Sequence, residues 1–517
     1  MTLRHPAGQQ TIFLHQKAEI AADETQRRRL TLFAMCVAAF MIQLDVTIVN
    51  VALPTIQRSL ASTMGQLEWV ISGYALSLAA CIPLAGALGD RFGHKFFFIG
   101  GLIIFGIGSV GCAVAWTSAA LIISRFVQGA GGAAMMALSL AILNRTYPAP
   151  IRSQAIGIWA AIGAIGFGAG PVVGGLLLGS FGWASVFWVN LPFTVIAVTM
   201  AWIVIPYVRS SETKRALDAA GIILASVGLA CITFSLIEST TRPWQQMLAP
   251  AAIGLFSLVL FVTWQHYTTA PLIPKALRRA GSFSGACGIY FASYTAFAGM
   301  LYYVTIFFQN FKDWSAFDTG LSWLFMNIPF IVMAQFAGHL DKRFTPRSVI
   351  AIGCVVAAIG IGLLASLTGV TSFAVVVAGY IAAGAGCGAL VPSITHVAMR
   401  DVPPNAAGAG SALLNCSRQL GTATGLAIIG ALGSAATSKN WGAATAGQLT
   451  HAAFYAKTVA TGRIAVVLQV IGAGFREAAT SAFLCGYHVA LAACVLCLLI
   501  ALLIAATAFR ANSGAEN

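Results

Sequence analysis

From residue 30 onward, runs of about 18 to 25 apolar residues follow one another, separated by short polar breaks. Fourteen such runs are read, at 30–53, 67–88, 96–116, 119–143, 153–178, 186–206, 218–237, 249–266, 284–308, 319–338, 348–367, 371–396, 406–430 and 479–507. At 1.5 Å per residue each is long enough to cross a hydrocarbon core of roughly 30 Å as a helix. The pattern predicts an all-α polytopic membrane protein with fourteen transmembrane helices. An even number of crossings leaves both ends of the chain on one face.

Composition agrees. Hydrophobic residues make up 58% and charged residues 9% of the 517, with a mean hydropathy of +0.85, against about 25% charged residues in an ordinary soluble domain. The first 29 residues are polar and mixed in charge, and the run after them is too long for a signal-peptide core, so it is expected to stay as an anchor. The eleven cysteines fall nearly all in apolar runs, where thiols behave as small hydrophobes. Cys494 and Cys497 have CxxC spacing but lie in a continuous apolar run with no second pair or nearby His. No metal or other cofactor is expected.

The net charge of +14 has a direction. With the N-terminus in the cytoplasm, twenty of the 29 Lys and Arg fall in cytoplasmic segments and seven outside, four of the seven in the long segment 431–478. By the positive-inside rule both termini are cytoplasmic. The surplus suits loops facing an anionic leaflet. No basic patch with interleaved aromatics is present, so no nucleic-acid partner is expected.

Two cations and one acid stand out because they lie inside the runs. Arg125 and Arg418 account for the rest of the Lys and Arg, and Asp45 sits within Gln43-Leu-Asp45-Val-Thr47-Ile-Val-Asn50. An ionised Asp at the centre of a membrane helix costs about 2.5–3.5 kcal/mol even on lenient scales, so Asp45 is a functional candidate by default. Rise per residue puts it about 12 Å from the outer end of its span and Arg125 about 9 Å into span 4 from the same side, similar depths at which the two can pair.

The chain also repeats itself. Gly86-Ala-Leu-Gly89-Asp90-Arg91-Phe-Gly93-His-Lys95 follows span 2, and Gly338-His-Leu-Asp341-Lys-Arg343-Phe-Thr345-Pro346-Arg347 follows span 10. They share a Gly, a Leu, an Asp beside a cation, a Phe and a terminal cation; the second has Thr345-Pro346 where the first has Gly93-His94. The halves are then spans 1–6 (residues 30–206) and 9–14 (residues 279–507, with the outer segment 431–478), with two inserted helices at 207–278 and cytoplasmic tails at 1–29 and 508–517. Two related six-helix bundles suit a transporter that rocks its halves about a midplane site.

These residues resemble the major facilitator superfamily, within it the fourteen-helix drug:proton antiporters. The Gly86–Lys95 run resembles the loop signature of that superfamily. Arg125-Phe-Val-Gln128-Gly129-Ala-Gly-Gly resembles its second motif, and Gly163-Ala-Ile-Gly166-Phe-Gly-Ala-Gly170-Pro171-Val-Val-Gly174-Gly its antiporter motif. Leu44 to Pro54, and Asn415-Cys-Ser-Arg418-Gln-Leu-Gly421, are similar to the fourteen-helix branch.

The resemblance implies proton-coupled export by alternating access, with the proton gradient as energy source, in a bacterial inner membrane. Asp45 is read as the proton-binding carboxylate and Arg125 as the cation that tunes it. Gly86, Gly89, Asp90, Arg91, Gly93 and Lys95 are read as an interhalf latch. Gly166, Gly170 and Gly174 form a small-residue ridge and Pro171 a kink. Candidate cavity residues are Gln43, Asn50, Tyr74, Tyr290, Tyr294, Trp323, Asn327 and Arg418. For Arg418 three partners stay open: backbone carbonyls, Asp45, or an anionic substrate.

Aromatic faces beside one carboxylate suit amphipathic, lipophilic cations as substrates. A dedicated exporter of one metabolite, or an importer, is the runner-up. The bilayer is the remaining partner; the chain is expected to act as a monomer, and a periplasmic adaptor is left open. An enzyme should show clustered His, Asp or Glu, and the eight His are dispersed. The GxxxxGK[ST] loop of direct ATP drive is absent.

Overall fold

The computed structural model describes residues 7–62, 64–205, 218–238, 244–269, 271–273, 281–400, 402–403, 406–445, 449 and 452–508; the side chains of 7–23 and of scattered helical residues, Pro171 among them, are outside that set. The expected tail 508–517 and the edges of the inserted segment, 206–217 and 274–280, therefore lie almost wholly outside the described residues. Among the described residues thirteen helices are long and apolar enough to cross a membrane. A fourteenth crossing is the pair Gln154–Gly170 and Val172–Phe181, bent by 45°. The bend falls at Pro171, whose ring removes one backbone hydrogen bond.

The crossings are α1 (Ala7–Leu60), α2 (Met64–Phe92), α3 (His94–Ala113), α4 (Ser118–Thr146), α5 (Ala149–Phe181), α6 (Asn190–Val204), α7 (Ala219–Glu238), α8 (Trp244–Tyr267), α9 (Gly281–Ile306), α10 (Leu324–Arg343), α11 (Pro346–Ala365), α12 (Phe373–Arg400), α13 (Ala407–Thr424) and α14 (Arg476–Ala508). Short helices Ser185–Trp188 and Ala316–Ser322 lead into α6 and α10. Helices are the open-chain form that satisfies every backbone group without water. Their ends follow local chemistry. Thr117 caps α4 through Ala120 N–H at 3.2 Å, and Thr345 caps α11 ahead of Pro346. Gly93 alone separates α2 from α3, at a φ of 105° that side chains rarely adopt.

Helices α1–α6 pack together as one bundle and α9–α14 as another. The inserted α7 lies against α2 and touches α13, with Phe234 and Trp69 ring centroids 5.8 Å apart. One clasp holds this hairpin. Asp218 accepts from Gly221 N–H (2.8 Å), Trp264 Nε1 (2.8 Å), Gln265 Nε2 (2.6 Å) and Leu272 N–H (3.2 Å).

Two boundaries differ from those read off the sequence. The polar tail is helical from Ala7, continuous with α1. Span 13 does not stop near 430: a π turn, Gly425–Ile429, carries it into a further helix, Gly430–Ala444. Among the described residues the rest of 431–478 carries two short helices, Ala452–Ala460 and Ile464–Ile471, and a 3-10 turn, Ala473–Phe475, before α14. Buried Trp441 ties them in through Nε1 to Ala452 O (2.9 Å), and Asn310 does so through Thr461 O (2.7 Å).

Candidate functional site

Asp45 and Arg125, on α1 and α4, are in contact inside the first bundle, 0% and 1% exposed. Arg125 also donates from Nε to Val70 O at 2.9 Å and from Nη1 to Gln128 Oε1 at 2.7 Å, and its guanidinium lies 4.3 Å from the centroid of the Tyr74 ring. Gln128 Nε2 donates to Asp45 Oδ1 (2.8 Å) and to Ser109 Oγ (2.8 Å). Asn190, at the start of α6, donates to Asp45 Oδ1 (3.1 Å) and reaches Ser109 Oγ (3.4 Å). Five helices thus close on one carboxylate. A buried charge in low dielectric needs this density of donors. Two polar atoms in the cluster, Tyr74 Oη and Asn190 Oδ1, have no hydrogen-bond partner.

The ridge on α5 sets where Asp45 sits. A Cβ at Gly166 would lie 2.5 Å from Phe40 O, one at Gly170 would collide with Thr47 Oγ1, and one at Gly174 would lie 3.0 Å from Ile48 Cγ1. All three neighbours belong to α1. The close approach lets the Thr47 hydroxyl donate to Phe167 O at 2.9 Å. On its other side α5 meets the second bundle: a Cβ at Gly157 would strike Ala334 O, and the Phe167 and Trp323 rings stack at 5.7 Å.

The run read from sequence as a loop after span 2 is helical through Phe92, so it is the C-terminal end of α2 that reaches across the halves. Asp90 accepts from the N–H groups of Gly408 and Ala409, each at 2.7 Å, at the start of α13. There the helix dipole favours an anion. A Cβ on Gly86 would lie 2.7 Å from Gly408 O and from Ala412 Cβ, so the backbones touch. Ser411 adds a bond to Ala137 O at 2.6 Å. A Cβ on Gly89 would collide with Leu138. Within the first half, His94 Nε2 lies 3.0 Å from Asp90 Oδ1, Lys95 Nζ donates to Trp202 O at 2.6 Å, and Arg91 covers the Phe92 ring. In the second copy Asp341 stays home, bonded to Ser393 Oγ (2.8 Å) and His396 Nδ1 (3.3 Å) of α12.

The candidate cavity residues fall into separate groups, of which Tyr290, Tyr294 and Arg418 form one. Tyr74 lies under Arg125, within the Asp45 cluster. Gln43 is half-buried beside Gly163, and Asn50 is exposed. Tyr290 is buried with its hydroxyl 2.7 Å from Thr395 Oγ1, its ring 5.4 Å from that of Tyr294. Trp323 and Asn327 face α5, the latter against Gly168, and Trp323 Nε1 has no partner. Arg418 lies between Met136 and Tyr294 and does not meet Asp45.

Gln128, noted in sequence only within the second-motif run, and Ser109 and Asn190, not noted at all, complete the site. Each is a polar residue in an apolar run, but a neutral one, so the charge cost that marked Asp45 does not mark it. Asp218 was missed because it sits at a run's edge, where a charge costs little. All eleven cysteines are free thiols, and among the described residues no cluster of three metal-ligating side chains occurs.

Residues 35–426 match the family profile of the Major Facilitator Superfamily. A methylenomycin A resistance protein of Streptomyces coelicolor is 34% identical over 400 residues, covering 77% of this chain and 84% of its own. A tetracenomycin C resistance and export protein of Streptomyces glaucescens is 30% identical over 404 residues, covering 78% of this chain and 75% of its own. Among solved structures, the human organic anion transporter MFSD10 superposes with a TM-score of 0.64 at 14% identity, over 92% of this chain and 99% of that one. At that identity the likeness is one of fold.

Proposed function

The chain belongs to the major facilitator superfamily, and on that premise we propose that it is a proton-coupled exporter of amphipathic organic compounds, driven by the proton gradient without a further cofactor. In this reading it works as a monomer in a bacterial inner membrane, and the Lys and Arg distribution supports cytoplasmic termini. Relatives named for resistance and for export support the direction.

One observation carries the coupling: the sole acid well within a span is fully buried, and every partner it has is a donor. Protonating Asp45 removes the charge that Arg125, Gln128 and Asn190 are arranged around. Arg125 then holds an uncompensated buried charge, costing about 3–5 kcal/mol, enough to repack α1 against α4. Helix α1 rides on the α5 glycine ridge, and α5 abuts α10 of the other half, so a shift of α1 reaches the interface between halves. Asp90 on the α13 N-terminus is the latch that holds the cytoplasmic side shut until that shift.

The test is dye efflux from proteoliposomes with and without an imposed proton gradient, wild type against Asp45→Asn. Gradient-driven efflux in the wild type and none in folded Asp45→Asn is expected. Wild-type flux indifferent to the gradient sinks antiport.

A further inference from the structure

Arg418 is the interior charge that the fold leaves unbalanced. It lies eleven residues after Ala407 on α13, about 16 Å along the helix axis, where the two halves face each other. Its Nη2 reaches Met136 Sδ of the first half at 2.9 Å, and its guanidinium carbon lies 5.6 Å from the Tyr294 ring centroid of the second. Nε is buried with no hydrogen-bond partner. Among the described residues no carboxylate lies within 4.0 Å of it.

A guanidinium offers five donors in a planar fork and accepts nothing. A thioether is a weak acceptor and a ring face a weak one, so neither satisfies a cation held this deep in an apolar helix. A purely structural arginine here would bond carbonyls or an acid, as Arg125 does. Arg418 does neither, it is only partly buried, and its two neighbours Met136 and Tyr294 come one from each half. Asp45, the one acid that could have drawn a cationic substrate, is sealed and neutralised by Arg125. The unspent charge between the halves is therefore positive.

We propose that Arg418 anchors an anion-accepting subsite between the halves, taking the carboxylate or sulfonate of an amphipathic aromatic substrate. The acid binds the fork bidentately. Tyr294, backed by Tyr290, supplies a ring face for the apolar body, and Met136 is a pliable wall that yields to substrates of different shape. The inference names the substrate class of the exporter proposed above and rests on that reading. It replaces the expectation of lipophilic cations.

Two probes that share a skeleton test it: 8-anilinonaphthalene-1-sulfonate and the uncharged N-phenyl-1-naphthylamine. Binding to the full-length protein in nanodiscs is measured for wild type, Arg418→Gln and Arg418→Lys, with thermal unfolding as the fold control. Wild type should prefer the sulfonate. Arg418→Gln should weaken the sulfonate at least tenfold, about the value of a charged hydrogen-bonded pair, and leave the neutral probe within about twofold. Arg418→Lys, which keeps charge but loses the fork, should fall between and serves if the Gln variant does not fold. A wild type that binds the neutral probe as well as the sulfonate, or variants with an unchanged sulfonate-to-neutral ratio, would overturn the subsite. Flux of the same probes separates the two proposals. Loss of gradient dependence with the Arg418 effect intact defeats antiport alone, and gradient-driven flux indifferent to Arg418 defeats the subsite alone.

Discussion

The two halves repeat one architecture, yet their shared motif, at the end of α2 and of α10, does opposite things. Asp90 leaves its own bundle and caps α13 of the other, while Asp341 turns back to Ser393 and His396 of α12. Register explains the difference. When Gly86 is set against Gly338 and Phe92 against Phe344, Asp341 falls opposite Gly89, one residue ahead of Asp90's place. One residue is about 100° around a helix. Gly89 faces Leu138 of its own bundle, and Asp341, in the same register, faces its own bundle too. Buried charge follows the same asymmetry: the first half encloses a balanced pair, and the second presents Arg418 to the interface. A duplicated scaffold thus keeps its backbone while a one-residue shift sends one aspartate across the halves and the other home; on the proposed reading, the first half gates and couples and the second receives.

Four substitutions probe this division. Asp45→Asn strikes hardest: gradient-driven efflux should fall about a hundredfold or more, the scale of breaking a buried pair. Asp90→Asn should come next. Two charge-assisted bonds across the halves are worth about 1.5–3 kcal/mol each, so spin-label distances between the Asp90 ends of the bundles should broaden and the closed-face population drop at least about tenfold. If Asp341→Asn broadened those distances equally, the assigned asymmetry would be wrong. Within the first half, Gly170→Ala should cost about 1–3 kcal/mol of overpacking against Thr47 and lower the unfolding midpoint by several degrees. Gly175→Ala, a position with open space around it, serves as its silent control. The smallest effect belongs to Asp341→Asn, for which export within about twofold of wild type is expected.

Much of this was legible in advance. The fourteen runs, the duplication and the Asp45–Arg125 contact follow from hydropathy, a repeated loop and rise per residue. The remaining members of the site were not. Gln128 and Asn190 are neutral and cheap enough in a helix to look incidental, and nothing local says that α4 and α6 turn them toward one carboxylate. The receiver of Asp90 is a pair of backbone N–H groups, Gly408 and Ala409, and backbone groups carry no sequence signal. Tyr74 and Tyr290 read as cavity aromatics because sequence does not reveal which helix face is turned toward a neighbour; Tyr74 packs under Arg125 and Tyr290 bonds Thr395.

What the sequence alone determined is the class of the molecule: a chain this apolar has no state but helices in a bilayer, and an acid kept among them against its cost marks function. Tertiary structure decided which charges meet. Pairing depends on the rotation and approach of helices far apart in sequence, 80 residues for Asp45 and Arg125, and on glycine contacts such as Gly170 on Thr47 and Gly86 on Gly408. Those contacts neutralise Asp45, carry Asp90 across to the other half, and leave Arg418 open between them.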